Sequence, residues 1–152
     1  FEGRIRSVLL GIITVNQGGK HMKEMLSART LAGLDARIAV LQVGRCLIPS
    51  RVRVRGTIVE CLVPTWAGLG DMLERPREAR LAVVVEAGPA LSWVFIRGNA
   101  SLVMNPDLEG LTLPGVGRAN RTDLYESVRV EPVRIEIVDE RRGWGYRETV
   151  DL

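Results

Sequence analysis

The chain has 152 residues, of which 46% are hydrophobic and 26% are charged, with a formal net charge of +3. This length and balance predict one globular domain. The acidic residues are interspersed among the basic ones, which argues against a nucleic-acid partner. The chain has a single histidine, His21, which argues against a zinc enzyme or a Ser-His-Asp hydrolase. The two cysteines, Cys46 and Cys61, form neither a disulfide framework nor a metal motif, so we expect no bound metal and a reduced, cytoplasmic protein.

The first 21 residues differ from the rest of the chain. "SVLLGIITV" (7–15) is far shorter than the ~20 residues of a membrane helix, and its β-branched composition predicts a strand that ends at "NQGG". We therefore expect no membrane partner. The following "GGKHM" is also compatible with a junction to an added leader, with the natural chain starting at Met22. Residues 1–21 are accordingly assigned as an N-terminal extension or an added segment, and residues 22–152 as the domain.

The first half of the domain predicts a helix and then three strands. Apolar residues recur at helical spacing from Met22 to about Leu34. Strands are predicted over 37–43, 48–55 and 57–63, the last two forming a hairpin around Gly56. A short helix over 67–76 follows, with its end set by Pro76.

The second half predicts further strands. Residues 79–87 form an apolar run typical of a strand buried on both faces, and 91–104 a long strand in which Gly98 predicts a bulge or bend. An irregular stretch over 105–127 precedes a strand over 128–140 and a short extended tail. Six or seven strands linked by turns indicate a mainly β fold, an antiparallel barrel or sandwich.

The stretch "SRVRVRG" (50–56) carries three arginines with a period of two. A strand would place Arg51, Arg53 and Arg55 on one face, because successive side chains point to opposite faces. The face is either solvated, as charged strand faces often are, or it binds an anion such as phosphate, which the planar guanidinium group suits. In the second interpretation Arg53, at the centre, is the first candidate.

A second candidate site is "PTWAGLG" (64–70). Backbone N–H groups at the start of a helix can hold an anion, and Gly68 would let a ligand approach the backbone. Thr65 offers a hydroxyl group and Trp66 an aromatic surface for a flavin ring. The alternative is a simple turn and helix cap, with Trp66 packed in the core or in a subunit contact.

The order of elements resembles that of the flavin-binding split barrels related to pyridoxamine 5'-phosphate oxidase. "ARIAVLQVG" is similar to the first barrel strand of that family, "DMLERPREARLAVVVE" to its short helix and buried strand, and "SWVFIRGNASLV" to its long strand. "VEPVRIEIVDERRGWGYRETVDL" resembles the closing strand and tail. The resemblance covers residues 24–152 and implies an antiparallel split barrel of about six strands.

The resemblance also implies a cofactor and a partner. It implies a homodimer that binds the flavin nucleotide FMN at the subunit interface, with a deazaflavin or haem as alternative cofactors. We call Arg51, Arg53 and Arg55 the arginine ladder. They lie in the strand that carries a phosphate-binding arginine in the oxidase, and Trp144 and Arg147 match active-site residues near its C-terminus. The family's Ser-Arg-Lys stretch falls on 67–69, which read Ala-Gly-Leu here, and its flavin-contacting glutamine falls on Trp93.

Two functions remain open from the sequence. The first is an FMN-dependent oxidoreductase of unknown substrate, in which the cofactor carries the redox step and the protein binds and orients. The second is a non-catalytic split barrel that has lost its cofactor and serves as a ligand-binding or sensor protein. The arginine ladder and the Gly-Trp tail favour the first function, and the missing Ser-Arg-Lys stretch favours the second.

Overall fold

The computed structural model of the chain describes residues 18–86, 88–107 and 124–152. The predicted strand over 7–15 and most of the predicted irregular stretch, 108–123, lie outside these ranges. The first helix, α1, begins at Gly18 and ends at Ala32, so it crosses the boundary proposed between the extension and the domain. No helix in the described ranges is long and apolar enough to span a membrane.

In the described ranges seven strands follow α1, and each predicted strand from 37 onward is confirmed. The strands are β1 (Ile38–Val43), β2 (Cys46–Arg55), β3 (Ile58–Pro64), β4 (Arg77–Glu86), β5 (Ser92–Leu102), β6 (Tyr125–Asp139) and β7 (Arg147–Asp151). A 3-10 turn (Thr65–Ala67) and a second helix, α2 (Leu69–Met72), lie between β3 and β4, and another 3-10 turn (Glu140–Arg142) precedes β7.

The strands form an antiparallel barrel, which confirms the predicted fold class. Their order is β3-β2-β1-β4-β5-β6-β7, and β3 also pairs with β6, so six strands close on themselves. The long strand β6 makes this possible because its first part, 125–130, pairs with β3, whereas 134–138 pairs with β7. The seventh strand thus continues along β6 beyond the end of β3.

Alternate residues of each barrel strand fill the interior. Leu41, Val52, Leu81, Ile96 and Ile135 are fully buried there, and their neighbours along each strand point outward. Burial of such large aliphatic side chains contributes roughly 1.5–3 kcal/mol each. The closed core leaves the outer surface of the barrel as the place where a ligand or partner can bind.

The prediction that residues 79–87 form a strand buried on both faces is wrong. Ala79, Leu81 and Val83 are buried, but Arg80 is exposed and Val84 is 56% exposed. A continuous apolar run is typical of a strand covered on both sides, whereas the outer side of β4 is not covered by any described part of this chain. The apolar residues at outward positions therefore form exposed surface.

The bend predicted at Gly98 is confirmed as a break in strand register. The pairing of β5 with β6 shifts between Arg97 and Gly98. A Cβ atom at residue 98 would lie 2.2 Å from the carbonyl oxygen of Glu131, so the close approach of the two strands requires glycine.

The predicted helix over 67–76 is shorter than expected. Gly68 has φ +72° and separates the 3-10 turn from α2, which ends at Met72 rather than before Pro76. This left-handed conformation favours glycine and stops a continuous right-handed helix. Leu69 and Leu73 point inward and are buried.

Candidate functional site

The three ladder arginines lie on the outer face of β2, as predicted. Arg51, Arg53 and Arg55 occupy alternate positions, and Val52 between them is fully buried in the barrel. Their neighbours on β3 are Leu62, Glu60 and Ile58, in the same order. One acidic side chain therefore stands opposite the central arginine.

Arg53 and Glu60 form a buried ion pair. The Nε of Arg53 donates to Oε2 of Glu60 at 2.9 Å, and its Nη2 donates to the same oxygen. Glu60 is only 4% exposed, although it points away from the barrel interior. Arg129 on β6 lies directly across from Glu60 and approaches Oε1 at 3.4 Å.

The two arginines determine the charge state of Glu60. Burial alone would raise the pKa of this carboxyl group, but hydrogen bonds and charge from Arg53, with further contributions from Arg129 and Arg55, lower the pKa below its usual value. Glu60 is consequently a carboxylate at neutral pH. The pair stabilises the junction of β2, β3 and β6.

Asp107 neutralises the ladder further. Its carboxylate oxygen Oδ2 accepts from Nη2 of Arg55 at 2.9 Å, and its main-chain oxygen accepts from Nη2 of Arg53 at 2.6 Å. The side chain of Arg51 is half-buried and makes no hydrogen bond or ion pair with the described residues. Arg51 therefore differs from Arg53 and Arg55, both of which have acidic partners.

The turn after β3 lies at the Arg51 end of the ladder. Arg51 is opposite Leu62, two residues before the strand ends at Pro64, whereas Arg55 is opposite Ile58 at the other end. In the turn, the N–H of Thr65 donates to the carbonyl of Leu124 at 2.8 Å.

Trp66, in that turn, is 82% exposed, so it does not pack in the core of this chain. Gly68 closes the turn by donating its N–H to the carbonyl of Thr65 at 3.2 Å, and its conformation leaves nothing within 4 Å of a Cβ position. Of the predicted site residues, Thr65, Trp66 and Gly68 therefore lie beyond the Arg51 end of the ladder, and Arg53 and Arg55 lie further from them.

Trp144 lies in the turn before β7 and Arg147 begins that strand, so both residues are away from the ladder on β2. Trp144 is 96% exposed in a turn between Gly143 and Gly145, both of which have positive φ. Arg147 donates from Nη2 to Oε2 of Glu136 at 2.6 Å, on the outer face of β6 and β7. Around the closed barrel, β3 and β6 lie between β2 and β7. Arg51 aligns through Leu62 with Ser127 near the start of β6, whereas Arg147 pairs with Val138 near its end, so one copy of the chain does not bring Trp144 and Arg147 to Arg51.

An exposed apolar surface on β1, β4 and β5 was missed in the sequence. Ile38 and Val40 of β1, Val84 of β4 and Phe95 of β5 all point outward and are at least two-fifths exposed. We call these four residues the apolar face. Contiguous apolar surface of this kind marks contact with a ligand or a partner protein. The sequence pattern that indicates this surface is that apolar residues occupy consecutive positions over 38–41 and 81–84, so each of these strands has apolar side chains on both of its sides.

The apolar face begins where the ladder ends. Arg51 pairs with Ile38 across β2 and β1, so its side chain stands directly beside the apolar face. Trp93 is half-buried on the same outer side and meets Phe95 edge-on, with ring centroids 6.3 Å apart. The surface therefore combines aromatic and aliphatic groups with a cation at its border.

The cysteines take no part in this surface. Cys61 is fully buried in the barrel, and burial raises the pKa of its thiol to about 12. Cys46 is half-buried, with its Sγ 3.6 Å from the Sδ of Met72. Within the described ranges, no group of three or more His, Cys, Asp or Glu residues could hold a metal ion.

Comparison with known proteins identifies the fold. No protein-family model matches the chain, and no curated protein is significantly similar to it in sequence. Solved structures do match. The general stress FMN/FAD binding protein of Xanthomonas citri is 14% identical with a TM-score of 0.55, and the match covers 83% of this chain and 88% of that chain.

Two structures from Mycobacterium smegmatis also match. An FAD binding protein is 15% identical with a TM-score of 0.51, over 84% of this chain and 96% of that one. A heme binding protein is 17% identical with a TM-score of 0.57, over 82% of this chain but 56% of that one. At such low identities the likeness concerns the fold, which is the predicted antiparallel split barrel.

Proposed function

We propose that the chain is a homodimeric, FMN-dependent oxidoreductase of the split-barrel family related to pyridoxamine 5'-phosphate oxidase. One observation carries the proposal: Arg51, with no acidic partner in the described residues, borders the exposed apolar face. FMN combines a largely apolar, planar ring with a phosphate, so it needs such a combination of surface and cation. The likeness to proteins described as FMN/FAD binding and FAD binding supports the same conclusion.

The residues around Arg51 fit the phosphate end of FMN. Arginine binds phosphate oxygens through paired N–H groups and keeps its charge. The hydroxyl of Thr65 and the open backbone at Gly68 would supplement it, and the exposed ring of Trp66 would cover the ligand. When bound, FMN would supply the redox chemistry, and these residues would bind it, orient it and exclude water.

Arg53 and Arg55 fit less well, and they favour a second candidate function. Their guanidinium groups already contact Glu60 and Asp107. A phosphate would have to displace Asp107 and would lie near the carboxylate of Glu60. This observation favours a non-catalytic split barrel that has lost the cofactor, or one that holds a deazaflavin or haem. The prediction that Arg53 is the principal phosphate ligand therefore stays a prediction, with Arg51 the better supported residue.

A homodimer would complete the site. A second copy of the chain would cover Ile38, Val40 and Val84 of the apolar face, because exposed apolar surface is stabilised by burial between subunits. The second copy would also bring its exposed Trp144, and with it Arg147, toward the first copy's cofactor. We further propose a cytoplasmic location, in keeping with two cysteines that form no disulfide.

FMN titration of the apo-protein tests the proposal. Quenching of flavin fluorescence should give saturable binding to the wild type, and Arg51→Ala should weaken it about tenfold to a hundredfold, since a charge-assisted contact contributes ~1.5–3 kcal/mol. Arg29→Ala, on the exposed side of α1, removes the same charge elsewhere and should leave FMN affinity unchanged.

Two results would contradict the proposed FMN site. Equal FMN affinity of the wild type and Arg51→Ala would return the ladder to its alternative interpretation, a solvated strand face. Failure of the wild type to bind FMN at all would favour the non-catalytic candidate.

Light scattering tests the homodimer independently. Val84→Glu should convert a dimer into a monomer, and a wild-type mass equal to that of one chain would rule out the homodimer.

A further inference from the structure

Three arginines stand in one line across three neighbouring strands of the outer face. Arg80 of β4 is directly opposite Arg97 of β5, and Arg97 is directly opposite Arg134 of β6. Their side chains share the outward side, because Leu81, Ile96 and Ile135 beside them point into the barrel. We call Arg80, Arg97 and Arg134 the arginine row.

This alignment is unfavourable for folding. Like charges directly opposite each other on adjacent strands destabilise the pairing, and Arg97 has such a neighbour on both sides. In the described part of the chain, Arg97 makes no ion pair or side-chain hydrogen bond. Strand pairing alone therefore does not account for the row.

The acidic residues nearby neutralise the row unequally. Arg134 lies 3.4 Å from Glu136, which also pairs with Arg147, and 3.8 Å from Asp151, so its charge is partly balanced. Among the described residues, Arg80 pairs only with Glu78, at 3.8 Å, and both of these side chains are mostly exposed, which makes such a pair weak. The uncompensated charge consequently lies between Arg80 and Arg97.

The row lines a groove that also contains an aromatic ring. The groove has a volume of about 490 Å³ and is lined by the three arginines, Phe95 and Glu136. Phe95 is two residues before Arg97 on the same face, and its neighbour on β4 is the small residue Ala82. The groove thus offers an aromatic surface next to two arginines whose backbones are about 5 Å apart, the spacing of adjacent strands.

We propose that this groove binds an anionic aromatic small molecule. A single oxyanion, phosphate or carboxylate, would be held between Arg80 and Arg97, and the ring that carries it would lie on Phe95. Arginine suits this role because its planar group contacts two oxygens of one anion at once. Arg134 acts through its charge and remains tied to Glu136 and Asp151.

This site is separate from the proposed FMN phosphate site. Arg51 and Arg97 are three strands and four residues apart along the outer face, on the order of 20 Å from the spacings of strands and residues. The inference therefore goes beyond the proposed cofactor and does not require it. Both sites border the apolar face from opposite ends.

Calorimetric titration of the full chain with phenyl phosphate tests the inference. The wild type should bind phenyl phosphate more tightly than inorganic phosphate, because only the former has a ring for Phe95. The double variant Arg80→Gln/Arg97→Gln should bind phenyl phosphate at least about tenfold more weakly. Phe95→Ala should remove the preference for phenyl phosphate over phosphate. A titration of the wild type with benzoate shows whether the two arginines also bind a carboxylate.

Arg29→Gln provides the matched control, since it removes one positive charge from an exposed helix position. It should leave phenyl phosphate affinity unchanged. Absence of binding to the wild type at millimolar phenyl phosphate, or equal affinity of the double variant, overturns the inference. So does a double variant that is monomeric where the wild type is dimeric while neither binds the anion, because the row would then be a subunit contact.

An FMN titration of the same double variant separates this inference from the proposed function. Unchanged FMN affinity together with weakened phenyl phosphate binding supports two distinct sites. Parallel loss of both would make the row the cofactor's own phosphate site and overturn the inference. Loss of FMN binding in Arg51→Ala with phenyl phosphate binding retained supports both proposals.

Discussion

The ladder on β2 and the arginine row across β4, β5 and β6 each carry three arginines, yet they differ in what lies opposite. Glu60 faces Arg53 in the ladder, and the pair is buried. In the row, Arg97 faces arginines on both neighbouring strands. The first arrangement is a structural ion pair with one arginine left over, and the second is a cationic surface that folding does not explain.

The difference shows that charge spacing along a strand and charge function are separate properties. Both sets of arginines lie on the outer face of one barrel. Their roles depend on residues of other strands, which register alone brings into contact. A neutralised arginine contributes to stability, whereas an arginine without an acidic neighbour is available to an external anion.

The largest expected effect comes from removing the acid of the ladder. Glu60→Ala should lower the free energy of unfolding by about 3–5 kcal/mol, because it leaves the nearly buried Arg53 without its carboxylate. Urea unfolding followed by circular dichroism measures it. The matched control is Glu78→Ala next to the arginine row, where an exposed pair should contribute no more than about 1 kcal/mol.

Equal destabilisation by the two variants would contradict the proposed difference between the ladder and the arginine row. It would mean that Glu60 is no more deeply involved in the fold than an exposed carboxylate. A second variant, Glu60→Gln, keeps the side-chain volume and removes the charge. It should remain clearly less stable than the wild type if the charge, rather than packing, carries the effect.

A change of one methyl group beside the arginine row should have the next largest effect. Gly98→Ala places a Cβ against the carbonyl of Glu131 and should destabilise the protein by about 1–3 kcal/mol. Gly88→Ala is the control, because a Cβ there has nothing within 4 Å. If Gly98→Ala unfolds at the same urea concentration as the wild type, the register shift at β6 does not depend on glycine.

Acid should selectively weaken the ladder. The pKa of Glu60 is lower in the folded chain than its usual value of 4.5, so its contribution to stability is present above pH 4.5 and is lost as pH falls through the folded pKa. The difference in unfolding free energy between the wild type and Glu60→Gln should therefore narrow on acidification. Asp139, whose pKa is lowered mainly by its hydrogen bond from Arg141, is present in both proteins and cancels. A difference independent of pH would contradict this account.

Local pattern was enough to predict most strands. Alternation over 48–63 predicted the hairpin, and the turn residues after it predicted where β3 ends. Gly98 predicted the bulge because glycine within a strand has few other reasons to occur. These features depend on neighbouring residues in the chain, which the sequence displays directly.

The pairing of charges could not be predicted in the same way. Asp107 reaches Arg55 from 52 positions away, and Arg129 reaches Glu60 from 69 positions away. Arg80, Arg97 and Arg134 are likewise isolated in sequence and become a row only through the register of three strands. For the same reason the apolar run over 79–87 was assigned to a fully buried strand, since nothing local shows what covers the outer side.

The smallest expected effect concerns the central arginine of the row. Arg97→Gln should raise the free energy of unfolding by about 0.2–1 kcal/mol, because it relieves repulsion from Arg80 and Arg134 while removing no described ion pair. Thermal or urea unfolding at low salt measures it, and added salt should reduce the gain because it screens exposed charges.

Arg53→Gln, the matching change at the centre of the ladder, should instead destabilise the chain, since it leaves the buried Glu60 with weaker partners. Opposite signs for two Arg→Gln variants on one barrel surface would be direct evidence that the row is kept for something other than stability. A loss of stability in Arg97→Gln would show that the arginine row, like the ladder, has a structural partner.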